Sequence, residues 1–355
     1  MPIVSINNND DDKKKASGQP SAGQPSAPGA PTPSSTDSIR PEGKLVAPAM
    51  AGGDKVMIRR PQSEALKNAN KNLRRKRKIN TIVRYTVLVI VGLIMIYPLV
   101  WMVGATFKEN SEIFSTMNPI PTNPTVAGYQ NAVKDYGGNI NIWKSMLNTY
   151  SYVIPEVILT VISSLLTAYG FARFKFVGHK VLFALMMAML FLPQVVLNIP
   201  QYMLFNNFGW VGSKLYLPLI VPTAFATETY FIFMLIQFLR GVPKEMEEAA
   251  MIDGCNSMKI LVKIIVPMVL PAIVSCALFK FMWSSNDFLG PLLYVNSPAK
   301  YPATIFVKLS MDSDTGFDWN RVLATSLISI IPNIVIFFAA QNQFVEGVSA
   351  GGVKG

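Results

Sequence analysis

Six apolar runs, at 82–104, 149–171, 179–200, 215–239, 263–290 and 322–345, dominate the 355-residue chain. Each is close to the ~20 residues that a helix needs to cross the hydrocarbon core of a bilayer. Within lipid every backbone N–H and C=O must find its partner inside the protein, so runs of this length span as helices. Only 15% of the residues are charged, whereas a soluble chain has about a quarter. The expectation is an all-α integral membrane protein with six spans.

The fourth run tests that count, because it carries Glu228, Pro218 and Pro222. A carboxylate at the centre of a span costs ~3 kcal/mol, while about a dozen Leu, Ile, Val and Phe return ~0.3–0.6 kcal/mol each. The apolar sum is larger, so the run is expected to insert. Two prolines near one end loosen a helix there without forbidding it.

The segments between the runs alternate in charge. One side has "RRKRK" (74–78), "ARFKFVGHK" (172–180), the 241–262 loop flanked by Arg240 and Lys263, and the tail 346–355 with its "VKG" end. On the other side Lys108, Lys134, Lys144, Lys300 and Lys308 are dispersed among Glu109, Glu112, Asp135, Asp312, Asp314 and Asp318. Cytoplasmic flanks carry the excess of Lys and Arg, so both termini and the 241–262 loop are expected in the cytoplasm. The net charge of +11 is explained by a lipid-facing flank, and no recognition motif accompanies it, so nucleic acid is not an expected partner.

Residues 1–60 are rich in Pro, Gly, Ser and Ala and are expected to be disordered. Residues 61–80 read as a basic amphipathic segment on the membrane surface, and 81–345 as the six-span domain. Cys255, Cys276 and His179 form no ligand-spaced cluster, so no metal site is expected.

Before the fifth run stands "PKEMEEAAMIDGCNSMK" (243–259). Pro243 suits a first helical turn, where its missing N–H is no loss. Glu245, Glu247 and Glu248 favour the positive end of the helix dipole. Met246, Ala249, Ala250 and Asp253 share one face, mostly small, which admits close approach of another surface. Gly254 is placed to end the helix left-handed, and Asn256 or Ser257 to cap a second helix from Met258. A helix resting on lipid without a protein partner is the simpler alternative, but such a helix would show Leu, Phe or Trp where the alanines stand.

"EAAMIDG", nine residues and "IIVP" together resemble the EAA signature of binding-protein-dependent ABC transporter permeases. "VPKEMEEAAMIDG" is similar to the carbohydrate-uptake branch, relatives of the maltose permease subunits. "FMWSSNDFLGPLLY" (281–294) and "QNQFVEGVSAGGVKG" (341–355) resemble that branch too, with Ser285 where a Trp is common. The similarity covers about 80–355. It implies a type I importer permease core in a prokaryotic plasma or inner membrane. It also implies two separate ATPase subunits that bind ATP and Mg, a second permease subunit, usually a different chain, and an extracellular sugar-binding protein. Carried over, Glu247, Glu248, Ala249, Ala250, Asp253, Gly254, Ile264 and Pro267 couple the spans to the ATPase. In this scheme Glu247 and Glu248 offer acceptors to its basic groups, and the tail lies against it. The loops at 105–148 and 295–320 become candidate docking surfaces for the binding protein.

Charges within spans usually face a cavity or each other. Glu228 and Lys280 are expected at similar depth on adjacent spans, as an ion pair or as part of a polar path with Gln194, Asn198, Trp283, Asn286, Asp287 and Asn333. Tyr230, Phe231, Phe281 and Trp283 could stack on sugar faces.

No "GxxxxGK[ST]" loop occurs, and "GWVGSK" lacks its spacing. The chain is therefore expected to be no enzyme and to hold no cofactor itself. An ion-gradient-driven carrier of a small polar solute is the alternative, but the matched, interrupted repeat halves common in such carriers are not visible.

Overall fold

The computed structural model describes residues 64–135, 140–213, 215–311 and 317–352, with side chains from Lys71 to Gln343 apart from Asn72. The segment 1–60, the last residues of the tail and part of 295–320 fall outside the described residues. No β-strand forms among the described residues. The chain divides into two units at Ile82, and the second, Val83–Gly355, contains every helix after the first.

That first helix, α1, runs over Glu64–Ala105. Within α1 no proline precedes Pro98, and its basic stretch consists of good helix formers. The expected surface segment, from Glu64 on, thus belongs to the same helix as the first span. At 42 residues it is about 63 Å long, roughly twice a hydrocarbon core. Its apolar side chains from Ile82 to Val100 are mostly exposed.

The second span is α3, Ile142–Arg173, unbroken despite Pro155 and capped at its start by Asn141, which accepts from the Lys144 N–H. The third run forms two helices, α4 (His179–Met189) and α5 (Gln194–Asn207), bent by 102°. Pro193 at the start of α5 explains the break, since it removes a donor and restricts Leu192 before it.

The fourth run is also divided. A short helix, α6 (Leu217–Ile220), passes into a tight turn at Val221–Phe225, and α7 (Thr229–Gly241) follows. Ala226 between them has φ 56°, a left-handed backbone in a residue with a Cβ. The carbonyls freed there are taken up locally. Ser163 of α3 donates to the Thr223 carbonyl at 2.7 Å, and Thr227 donates to that of Pro222 at 3.1 Å.

The fifth run begins earlier and ends sooner than 263–290. After α8 (Glu245–Ile252) come α9 (Ser257–Ile260), a wide turn at Leu261–Ile265 and α10 (Val266–Met268), bent by 80° from α11 (Leu270–Ser285). Pro267 and Pro271 are four apart, so the Lys263 and Pro267 carbonyls both lack their usual helical donors. Two short helices come next, α12 (Leu289–Tyr294) and α13 (Ala303–Leu309). The last long helix, α14, is Trp319–Gly352 and continues into the expected tail. Among the described residues four helices are long and apolar enough to cross a bilayer, or six if each bent pair counts as one span.

One core joins α3, α7, α8, α9 and α11, with Phe231, Leu235, Ile236, Ala250, Ile265 and Cys276 at its centre. At the opposite end from α8, the 105–148 loop is tied down. Its short helix α2 (Ala127–Val133) packs on α14, and Asp318 accepts from the Asn110 and Asn131 side chains at 3.1 and 3.2 Å.

Candidate functional site

Helix α8 is closed at its C-terminal end by backbone chemistry. The Gly254 N–H donates to the Met251 carbonyl and the Cys255 N–H to that of Ala250, a Schellman closure with Gly254 at φ 78°. Asn256 then accepts from the Lys259 N–H at 2.9 Å and caps α9. Between two caps, Asp253–Asn256 is a sharp corner with few free dihedrals.

The faces of α8 are sorted differently from the expectation. Glu247 and Ala250, one turn apart, point into the bundle. Glu247 does not offer its carboxylate outward, because Arg173 at the end of α3 donates Nε to it at 2.5 Å. The same guanidinium gives Nη2 to the Val242 carbonyl at 3.0 Å. Both side chains of this pair are 6% exposed. Glu248, Ala249 and Asp253 do face outward, beside Met246, Met251 and an Ile252 that is 88% exposed. Ile264 is half-buried on the core and Pro267 is exposed at the bend. Arg173 was legible as a basic residue, but nothing in sequence spacing pairs it with Glu247. The outward apolar cluster of Met246, Met251 and Ile252 was hidden behind the alanines.

A second cluster lies deeper. Glu228 sits at the start of α7, close to the middle of the Leu217–Gly241 span. Lys280 donates to its Oε1 at 2.6 Å, so the expected pair is present. A third member was missed: Glu156 of α3, with Oε2 3.7 Å from the same Nζ. Ser284 lies beside it. A lone Glu after a proline in an otherwise apolar run was the available signal. Lys280 and Glu156 are 10% and 7% exposed, while Glu228 keeps 31%. A buried ion pair that loses one partner costs roughly 3–5 kcal/mol, and through one ammonium this cluster links α3, α7 and α11.

The other expected path residues divide. Trp283 (50% exposed) and Tyr230 (43%) lie side by side, ring centroids 5.3 Å apart, next to Glu228. Asn286 is exposed and donates to the Met282 carbonyl. By contrast, Asp287 turns its Oδ1 to the N–H groups of Leu289 and Gly290, capping the short helix α12. Asn333 of α14 is buried and accepts from Ser285 at 2.8 Å, which joins α11 to α14. Phe231 is fully buried, and Phe281 is buried and stacked on Tyr150. Gln194 is exposed and Asn198 half-buried on α5. Among the described residues no group of three or more His, Cys, Asp and Glu could hold a metal.

Comparison with known proteins adds to this geometry. Residues 160–343 match the family of the binding-protein-dependent transport system inner membrane component. The osmoprotective compounds uptake permease protein GgtD of Synechocystis sp. is 34% identical over 212 residues, 59% of this chain and 70% of that one. The diacetylchitobiose uptake system permease protein NgcG of Streptomyces coelicolor is 27% identical over 270 residues, 76% and 87% of the two chains. A crystal structure of a bacterial ABC transporter involved in the import of the acidic polysaccharide alginate contains a chain with the same fold. Its TM-score is 0.65 at 20% identity, with 76% of this chain and 98% of that chain covered. The matched region contains α8 with its corner and residues 160–173 at the end of α3, both members of the Arg173–Glu247 pair and the whole of α7 and α11. The chain belongs to the binding-protein-dependent transport system inner membrane component family and is a multi-pass permease subunit of an ABC importer.

Proposed function

We infer that this permease imports a sugar or oligosaccharide, with ATP hydrolysed on two separate ATPase subunits and a second, different permease chain completing the pathway. ATP and Mg belong to the ATPase subunits, and an extracellular binding protein delivers the substrate to the end that carries α2. The observation that carries the reading is the outward face of α8. It combines acidic groups (Glu245, Glu248) with exposed Met246, Met251 and Ile252, on a helix held by its Gly254 closure and a buried ion pair. Large apolar residues exposed beside a helix so tightly held mark a protein docking surface. We take that partner to be the ATPase, and this reading goes with α8 and both termini in the cytoplasm.

The sugar is supported by relatives named for diacetylchitobiose and by the fold shared with an alginate importer, together with the exposed Tyr230 and Trp283 rings beside Glu228. Aromatic faces pack against the apolar C–H face of a sugar, and a carboxylate accepts its hydroxyls. The test is reconstitution of the complex in vesicles, with ligands first screened on its binding protein. Uptake of a bound sugar that requires ATP is the expected result. Uptake that needs an ion gradient and continues without ATP would replace this reading with a secondary carrier. Maleimide labelling of Cys255, which is partly exposed, should occur only from the cytoplasmic side.

A further inference from the structure

The Lys280 ammonium has one carboxylate more than it needs. Glu228 alone, at 2.6 Å, neutralises it, yet Glu156 is also buried beside it at 3.7 Å. Burying a second carboxylate is expensive unless it has a partner at some stage. The two acids stand on different mechanical ground. Glu156 is in the continuous helix α3, whereas Glu228 lies at the end of a break. That break contains a left-handed Ala226, and the Glu228 side chain just after it keeps 31% exposure. Non-glycine residues in left-handed backbone persist where the surroundings hold them, and such strained points cluster in moving parts of proteins. Asp287, the next carboxylate along, is occupied by two backbone N–H groups and cannot serve Lys280 in the same way.

We propose that Glu156 is a positioning residue that receives Lys280 when Glu228 leaves, so that the start of α7 can part from α11 during each transport cycle without stranding an ammonium in the membrane. A shift of about 1 Å by the flexible lysine tip brings Nζ from 3.7 Å to hydrogen-bond distance of the Glu156 carboxylate. The exchange breaks one ion pair and makes another, with no net change of charge. Glu228, whose side chain keeps 31% exposure, turns toward the Tyr230 and Trp283 rings, where it is free to accept hydroxyls. This inference rests on the importer reading above.

The experiment uses the full complex with its ATPase and binding protein in vesicles, in a Cys255→Ser background, with Thr227→Cys as a maleimide reporter at the break. In the otherwise unaltered chain, labelling should be several-fold faster in the vanadate-trapped state than at rest. Glu156→Gln should assemble normally because the Lys280–Glu228 pair is intact. Its binding-protein-stimulated ATPase turnover should fall at least tenfold at unchanged KM for ATP, with partial recovery in Glu156→Asp. Glu228→Gln should label fast in both states. Full turnover in Glu156→Gln, or labelling of the unaltered chain that is indifferent to vanadate, overturns the proposal. So does a Glu156→Gln chain that fails to assemble, if the unaltered chain also labels equally in both states. An unaltered complex with no ATP-driven uptake at all would instead remove the importer reading itself.

Discussion

The Arg173–Glu247 contact gives the sharpest quantitative expectation. Replacing Arg173 with Met keeps an unbranched side chain of similar length but leaves the Glu247 carboxylate, 6% exposed, without its cation. Removing one member of a buried pair costs roughly 3–5 kcal/mol. The Val242 carbonyl loses its guanidinium donor as well, but the two losses overlap, since both arise from the same missing group. Glu247→Leu in the same chain should recover most of the loss. Only the Val242 carbonyl then stays unsatisfied, worth about 1–3 kcal/mol. The double variant should therefore be more stable than Arg173→Met alone, although it differs from the natural chain at one more position. Reversible unfolding in mixed micelles would measure all three free energies, and the cycle should show strong non-additivity. Function should separate from stability: with α8 held only through Ala250, the double variant should hydrolyse ATP while transporting less substrate per ATP. If Arg173→Met proves as stable as the double variant, the guanidinium does not hold α8, and the account of this corner fails.

Two further expectations are independent of that pair. No atom lies within 4 Å of a Cβ added at Gly254, whose φ is 78°, so substitution there meets no clash and its cost is conformational. Gly254→Ala should cost about 1–2 kcal/mol, with Gly254→Asn milder and Gly254→Val worse. Uptake per ATP should follow that order while membrane insertion is unchanged, and a Val variant with undiminished coupling would count against a rigid corner. At the other end, the hydroxyl and N–H of Thr122 both donate to Glu112 at 2.8 Å. The Thr122 hydroxyl and then its N–H hold the Glu112 carboxyl below its ordinary range. A depressed carboxylate lends stability above its unfolded value and loses it as pH falls through the lower, folded value. Amide exchange at Thr122 should thus stay slow through mildly acidic pH and accelerate only below the ordinary glutamate range. Loss of protection at the ordinary value would refute the contact.

What was legible in the sequence was local. Gly254 and Asn256 announce a stop and a start because both are decided within a few residues, by left-handed backbone and by a side-chain acceptor. Pro193, Pro267 and Pro271 each remove a helical donor, but the runs at 179–200 and 263–290 were read as single spans, and neither bend was expected. What could not be read was which way a helix turns its faces once it meets a bundle. Glu247 and Glu248 are neighbours in a run of acids, yet they lie about 100° apart on the helix, so one goes to Arg173 and the other to the outside. Pro218 and Pro222 pointed to a loosened end of the fourth run, but the left-handed point before α7 is Ala226 and not a glycine, so the break itself gave no sign. Asp287 and Asn333 looked like path residues because depth was their only readable property. Their hydrogen bonds to Gly290 and Ser285 belong to the packing.

Helix α3 connects the two clusters. Arg173 at its end holds α8, and Glu156 nearer its start stands beside Lys280. Seventeen residues of uninterrupted helix separate them, about 26 Å at 1.5 Å per residue. An α-helix of this length is stiff along its axis, and no proline follows Pro155 to bend it. A displacement of α8 that Arg173 follows is therefore delivered to the carboxylate of Glu156 with little loss. Transmission by itself is not coupling, which requires an element with two arrangements whose balance both ends can tip. The broken span supplies that element. Glu228, two residues after the left-handed Ala226, is bound to Lys280, and it is the partner that an advance or retreat of Glu156 would strengthen or release.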